Sequence, residues 1–249
     1  MNAIIIAAGS GKRISESVKN FPKSMITVNG KPIIEYQLTT LRKAGINEIC
    51  IITGPHSEKF NIKNVKYIKD IDYENHDILG SLMQARKYFQ KDTIILYSDI
   101  IFESKIIEKI IKSKEDISIA VDMNWEEKYE GRTEHPKSEA ENVEVKNDTE
   151  IIRIKKNITD ANYRIGEFLG IMKFSMKGSE LFIEKYDEVI NNKTDLFHDA
   201  PSISKAYVTD MIQELIDSNI KINPILISGK WCEIDTLQDL KNAEKIFNP

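Results

Sequence analysis

Cysteine is nearly absent from this chain, with only Cys50 and Cys232 in 249 residues. Two isolated thiols exclude a disulfide scaffold, and no C-x-x-C pair is present to hold zinc or run thiol exchange. Long apolar runs are missing too: none reaches the roughly 18 residues a membrane helix needs. Met1-Asn2 leads straight into apolar residues, without the charged stretch and cleavage site of a signal peptide. Basic residues are not in excess, since 35 Lys and Arg face 39 Asp and Glu, for a net charge of -4. No general positive field therefore recruits nucleic acid. Repeats and low-complexity tracts are also absent. These absences leave a cytoplasmic protein with neither a membrane nor a nucleic-acid partner. At 41% hydrophobic, it has enough apolar residues for a substantial core.

What is present concentrates at the start. Ala3 to Ala7 is a short apolar run bounded by small residues, which predicts a buried strand. It opens into Ala8-Gly9-Ser10-Gly11, where tiny side chains leave backbone N–H groups free to face a ligand. Lys12 and Arg13 follow, and Lys23 stands just after Pro22. A strand, an amide-lined loop and three cations suit a polyphosphate. The spacing is not that of a Walker A loop, which would need Gly at Ile6 and Ser or Thr at Arg13. Nor is it G-x-G-x-x-G, because Ile14 occupies the third glycine place.

Strand and helix patterns alternate through the first half. Helices are predicted over 32–44, with Ile34, Leu38 and Leu41 on one face, over 79–89, and around Ile106, Ile107, Ile110 and Ile111. Strands are predicted at 48–53, 65–69, 93–97 and 117–121. After Asp122 the rhythm changes. Val143–Val145 and Ile151–Ile154 flank Asn147-Asp148, a hairpin signal, and a long strand runs from Ile165 to Phe174. Helices at 177–191, 203–218 and 236–247 and a strand at 221–227 complete the pattern. The fold class expected is α/β, Rossmann-like, with a mixed, mostly parallel central sheet flanked by helices and a small antiparallel subsheet in the second half. We read 1–249 as one domain with halves at 1–122 and 123–249. The family resemblance given next implies that the first half is nucleotide-binding and the second acceptor-binding, the subsheet lying on the acceptor side. Ligands in such sheets bind beyond the carboxyl ends of the strands, where the first loop lies.

The composite of Ala7-Ala8-Gly9-Ser10-Gly11-Lys12-Arg13, then Pro22-Lys23-Ser24-Met25, then Asn29-Gly30-Lys31-Pro32-Ile33-Ile34 resembles the signature of the sugar-phosphate and alkyl-phosphate nucleotidyltransferases. The resemblance implies that Gly9 to Gly11, with Ala7, Ala8, Lys12 and Arg13, hold a nucleoside triphosphate, and that Lys23 reaches the α-phosphate or the acceptor. It also implies that Asp99, after the strand ending at Tyr97, and Asp235, in Glu233-Ile-Asp235, hold Mg²⁺. Two carboxylates make a hard oxygen site that leaves room for phosphates and water. The plainer alternative is that each aspartate serves as a turn residue or helix N-cap. Tyr73 to Met83 resembles the family's base-reading segment, with Gly80-Ser81 against the ring. His76 reads as an exposed loop residue. Ser98 departs from the glycine or acidic residue many relatives carry on the metal strand.

On the acceptor side, Trp125 and Tyr129 at i, i+4 would share a helical face and form a wall for a cationic or apolar group. Arg132 suits a phosphate or phosphonate fork, and Glu139 or Glu141 suits an ammonium. With Glu167 and Glu233, this half looks similar to the cytidylyltransferases of phosphonate pathways, including domains fused to phosphoenolpyruvate phosphomutase, and more loosely to choline-phosphate cytidylyltransferases. The expected reaction moves CMP from CTP onto a small phosphonate or phosphate ester. A sugar-1-phosphate nucleotidyltransferase is the alternative within the class, and a non-catalytic nucleotide-binding regulatory subunit is the alternative outside it. A glycosyltransferase would want D-x-D on the metal strand, and Asp99-Ile-Ile does not supply it. Oligomeric state has no signature in the sequence.

Overall fold

The opening apolar run forms a strand, β1 (Asn2–Ala7), buried along its whole length. In the computed structural model, which describes residues 1–9, 21–192 and 196–248, it is central to the molecule. A two-strand ribbon, β2 (Thr27–Val28) and β3 (Lys31–Pro32), leads into α1 (Ile33–Lys43), followed by β4 (Ile49–Thr53), β5 (Lys66–Lys69) and α2 (Ile78–Met83). Next come β6 (Thr93–Tyr97), β7 (Ile100–Phe102), α3 (Ser104–Ile111) and β8 (Ile117–Asp122). The second half contributes β9 (Glu141–Lys146), β10 (Glu150–Lys156), β11 (Arg164–Phe174), α4 (Met176–Asn192), α5 (Val208–Asp217), β12 (Asn223–Leu226), β13 (Trp231–Glu233) and α6 (Leu237–Ile246).

Among the described residues, nine strands share one sheet, in the order β10-β9-β11-β6-β1-β4-β5, with β8 on β11 and β12 on β8. β6, β1, β4 and β5 are parallel, and β11 runs antiparallel to β6, β8 and β9. The sheet is mixed, and parallel across β6, β1, β4 and β5, as the alternating pattern of the first half implies. Because successive side chains of a strand point to opposite faces, β1 feeds two cores. Ile4 and Ile6 join α2, α4 and α5 on one face, through Leu82, Phe182 and Ile212. Ala3, Ile5 and Ala7 join α1 and α3 on the other, through Leu38, Leu41 and Ile107. A strand covered on both sides must be apolar throughout, which is why β1 shows no alternation. Each fully buried isoleucine contributes on the order of 1.5–3 kcal/mol.

Local signals are used as the sequence suggests. Gly45 closes α1 with φ +82°, and Gly45 N–H and Ile46 N–H donate to the Arg42 and Leu41 carbonyls, which satisfies the helix end. Asn147 and Asp148 turn the β9–β10 hairpin with positive φ at both positions. Three expectations differ in extent. The 79–89 helix is shorter, because α2 ends at Met83 and a 3₁₀ turn at Arg86–Tyr88 carries the chain onward. Phe89 still reaches the core, stacked 6.0 Å from Phe182, so burial of the stripe does not require a continuous helix. The 203–218 helix begins at Val208, where Asp210 accepts the Tyr207 backbone N–H. The 125–129 segment is a 3₁₀ turn. No helix among the described residues is long and apolar enough to cross a membrane.

The parallel strands end on one edge, and backbone crowding fixes the loops there. A Cβ on Gly54, just past β4, would collide with the Ala8 carbonyl oxygen at the end of β1. Gly54→Ala is expected to lower stability by about 1–3 kcal/mol through overpacking, read as a fall in the denaturant midpoint. An unchanged midpoint would show that Ala8 can move away freely.

Candidate functional site

Two cavities open at the carboxyl edge of the sheet, and they meet at Asp99. The larger, about 670 Å³, lies against Ala8, Gly9, Pro55 and Ser98 at the ends of β1, β4 and β6. The second, about 380 Å³, is lined by Glu139, Glu141, Glu167 and Glu233 from the second half of the chain. Tyr97, Asp99, Ile78 and Tyr207 line both.

Asp99 sits in the two-residue turn between β6 and β7. Gln37 of α1, buried beneath it, donates from Nε2 to the carbonyls of Tyr97 (2.7 Å) and Ile100 (2.9 Å), which pins both sides of the turn. β13 pairs antiparallel with β7, with Glu233 opposite Ile100, and Ile234 N–H donates to the Asp99 carbonyl at 2.9 Å. That register carries Asp235 beside Asp99 although 136 positions separate them in sequence. Asp235 is not the N-cap of α6. Thr236 is, in a reciprocal capping box with Asp239. The Asp235 carboxylate is thus left for other partners.

Its partner is Lys23, from the 3₁₀ turn after Pro22. The Lys23 ammonium donates to Asp99 Oδ2 at 2.8 Å and to Asp235 Oδ1. Burial works against the charge on Lys23, but the nearby Asp99, Asp235 and Glu233 raise its pKa above the ordinary lysine value. His135 Nδ1 lies 3.0 Å from the other Asp235 oxygen, and its Nε2 is 3.9 Å from Glu233. Ligand atoms of His135, Glu233 and Asp235 lie within 4.8 Å of one another. The cluster is thus oxygen-rich and already arranged around a positive centre.

His76 is not the exposed loop residue that its polar surroundings suggest. His76 has a side chain only 9% exposed, with Nε2 3.1 Å from Asp70 Oδ1, and Asp70 is completely buried. Ser81 donates to Asp70 Oδ2 at 2.7 Å. His76 and Ser81 line the larger cavity, while Gly80 packs on His76, whose ring a Cβ would strike. Gly80 therefore makes room for the histidine and is not among the residues lining that cavity. Ala7 points into the core on the α1 side. Ser10, Gly11, Lys12 and Arg13 lie outside the described residues.

On the acceptor side the residues divide. Glu139, Glu167 and Glu233 line the smaller cavity, and Trp125, Tyr129 and Arg132 do not. Trp125 is buried with Tyr129, Ala140 and Ile165, and its indole N–H donates to the Ile165 carbonyl at 3.2 Å, so it is core rather than wall. Tyr129 acts from behind, donating its hydroxyl to Glu167 Oε1 at 2.5 Å. Arg132 is not a free anion fork. Its Nε bonds Asp239 Oδ1 at 2.6 Å, another guanidinium nitrogen stands 3.4 Å from Glu233, and the group stacks over Tyr129. The aromatic–arginine spacing is equally that of a strap, and burial decides between the two. His135, Tyr97, Lys156 and Tyr207 line the smaller cavity as well. The first two and Tyr207 stand within or beside the stretches singled out in the sequence, but their residue types alone do not mark them as cavity-lining. Burial, followed by the neighbouring Glu233, pushes Glu141 and Glu167 each up to about 8. Burial with Asp235 and Asp99 pushes Glu233 to about 7.

With this geometry in view, three comparisons place the chain among known proteins. The family model described as the MobA-like NTP transferase domain matches residues 3–167. The CTP:phosphoglutamine cytidylyltransferase of Campylobacter jejuni is 30% identical, over 97% of this chain and 98% of its own length. The choline-phosphate cytidylyltransferase of Streptococcus pneumoniae is 32% identical over 45% of this chain and 51% of its own. A solved structure of CTP:phosphocholine cytidylyltransferase from S. pneumoniae superposes with a TM-score of 0.76 at 21% identity, covering 99% of both chains.

The Arg132–Asp239 pair ties the 125–133 strap to the start of α6. Both side chains are nearly inaccessible, so Arg132→Ala is expected to cost about 3–5 kcal/mol by leaving a buried carboxylate unpaired. Chemical denaturation measures this, and a loss under about 1 kcal/mol, the size of a surface pair, would show that the strap is not anchored there.

Proposed function

Since the chain belongs to the MobA-like NTP transferase family and is a nucleotidyltransferase, we propose that it moves CMP from CTP to a small phosphate or phosphonate ester and releases pyrophosphate. The observation that carries this reading is the meeting of two cavities at Asp99, whose carboxylate holds the Lys23 ammonium. A nucleotide in the larger cavity would present its α-phosphorus to an acceptor oxygen from the smaller. Relatives named for CTP and for phosphoglutamine and phosphocholine support cytosine and a phosphate ester.

In such a transfer the protein's work is positioning and charge neutralisation. Lys23, on the wall of the larger cavity beside Asp99, would reach the α-phosphate or the acceptor. His135 holds one oxygen of Asp235 in place. The Asp70 carboxylate orients Ser81 and His76 on the wall against which the base would lie. A phosphate or phosphonate acceptor is already ionised at pH 7, so no side chain is required to take its proton. Asp99 and Asp235 suit Mg²⁺: both are hard oxygen donors, and both already contact one cationic nitrogen. When bound, Mg²⁺ would supply Lewis-acid neutralisation of phosphate oxygens. Glu233 and His135 stand close enough to complete or orient that donor set.

The direct test is pyrophosphate release from CTP, UTP, GTP and ATP with phosphocholine, 2-aminoethylphosphonate and sugar 1-phosphates as acceptors. CTP with a phosphate or phosphonate ester should be the productive pair, and turnover confined to UTP with glucose 1-phosphate would overturn the reading. Lys23→Ala and Asp235→Ala should each lower kcat by at least about a hundredfold, the usual scale for losing one charged transition-state contact. Circular dichroism should show the fold retained. A near-normal rate in either variant would remove that residue from the mechanism.

A further inference from the structure

Beside the two acids of Glu233-Ile-Asp235 lies an imidazole. His135, in the stretch between β8 and β9, is only 5% exposed and lines the smaller cavity. Its Nδ1 stands 3.0 Å from Asp235 Oδ2 and its Nε2 3.9 Å from Glu233 Oε2, so each ring nitrogen faces an acid. Among the described residues, neither nitrogen has a hydrogen bond to a backbone carbonyl, a hydroxyl or an amide. The ring is also steadied from the side. Tyr129 packs edge-on with centroids 6.2 Å apart, and Tyr129 is itself tied to Glu167 and covered by the Arg132 guanidinium.

Lys23 meets this cluster from one side only. Its ammonium binds Asp99 Oδ2 and Asp235 Oδ1, whereas His135 faces Asp235 Oδ2. Ligand atoms of His135, Glu233 and Asp235 all lie within 4.8 Å of one another. Adjacent donors on an octahedral ion with bonds of about 2.1 Å stand about 3.0 Å apart, and opposite donors about 4.2 Å. A small side-chain adjustment therefore closes this set on one ion. In a neutral imidazole one nitrogen donates to the acid beside it while the other offers a lone pair. A histidine steered in this way by a carboxylate is the common arrangement of a metal ligand. Carboxylates alone suit Mg²⁺, which takes oxygen donors and loses its waters reluctantly. An imidazole turns the preference toward first-row transition ions.

We propose that His135 is itself a metal ligand, and that the centre it forms with Glu233 and Asp235 takes a first-row transition ion, Mn²⁺ or Co²⁺, in preference to Mg²⁺. The inference rests on the metal-assisted transfer proposed above and narrows it to a class of ion. The nitrogen, not the acids, is what distinguishes one ion from the other. A merely structural His135, an imidazolium bridging the two acids, would keep the same ring in the same place but lend no lone pair.

The experiment titrates the intact protein with Mn²⁺ alone and with Mn²⁺ plus CTP, read by pulsed electron paramagnetic resonance. The spectrum should carry the nitrogen coupling of one directly bound imidazole. Mg²⁺ should displace the bound Mn²⁺ only at a concentration at least about tenfold higher. In His135→Gln, with the fold checked by circular dichroism, the nitrogen coupling should vanish. Glu233→Gln should weaken Mn²⁺ binding by at least about tenfold. Bound Mn²⁺ without nitrogen coupling in the wild type overturns the inference, and that arm needs no variant to fold. Coupling that persists in His135→Gln overturns it too, as do equal competition by Mg²⁺ and a failure of Mn²⁺ to bind in either sample. Pyrophosphate release separates this inference from the reading beneath it. Release from CTP supported by Mg²⁺, beside a nitrogen-free Mn²⁺ spectrum, overturns the inference alone. Nitrogen-bound Mn²⁺ with no release from any nucleotide and acceptor pair overturns the transfer reading and leaves His135 a metal ligand.

Discussion

One ammonium group organises this molecule. Lys23, from the first tenth of the chain, reaches between Asp99 at its middle and Asp235 near its end. Without a cation, two carboxylates at that separation, largely out of water, would repel strongly. The surrounding scaffold exists to keep them together. Gln37 fixes the turn that bears Asp99, the β7–β13 pairing brings Asp235 alongside, and Thr236 takes over the capping role that would otherwise occupy the aspartate. Moving Asp99 or Asp235 by one residue in register would point its carboxylate away.

The parts of this arrangement that were legible in the sequence are those set by local chemistry. The fully apolar β1 announces a strand covered on both faces, Gly45 announces a helix end, and Asn147-Asp148 announces a hairpin. The placement of Asp99 after a buried strand and of Asp235 before a helix could be read for the same reason. What stayed hidden depends on pairing at a distance. β7 and β13 are three residues each, too short for a periodicity, and they matter through the register between them. His76 looks exposed in a polar run because nothing local reveals that Asp70 waits beneath it. The internal contacts of Trp125 and Arg132 are hidden in a related way. Their types and spacing suit ligand contact and internal bracing equally well, and only burial separates the two.

Around this centre the acids are graded by their surroundings. Asp239 is pulled below the ordinary carboxylate range by Arg132 and Thr236 despite its burial. Burial drives Glu141, Glu167 and Glu233 upward, joined by the field of Glu233 at the first two and by those of Asp235 and Asp99 at the third. The first pattern belongs to structural bracing, where a carboxylate already has its cation and donors. The second belongs to a surface prepared for something else, because no folded protein gains stability from acids it leaves poorly compensated.

Asp239 holds a further implication. A single carboxylate completes the α6 capping box with Thr236, accepts the Asp235 backbone N–H, and clamps the guanidinium of the strap behind the smaller cavity. On the function proposed above, selectivity and turnover are therefore mechanically joined. A lineage drifting toward a bulkier acceptor by reshaping residues 125–135 would tug, through Arg132, on the backbone that aims Asp235. Such a lineage would have to trade speed for its new preference until Asp239 found a replacement partner.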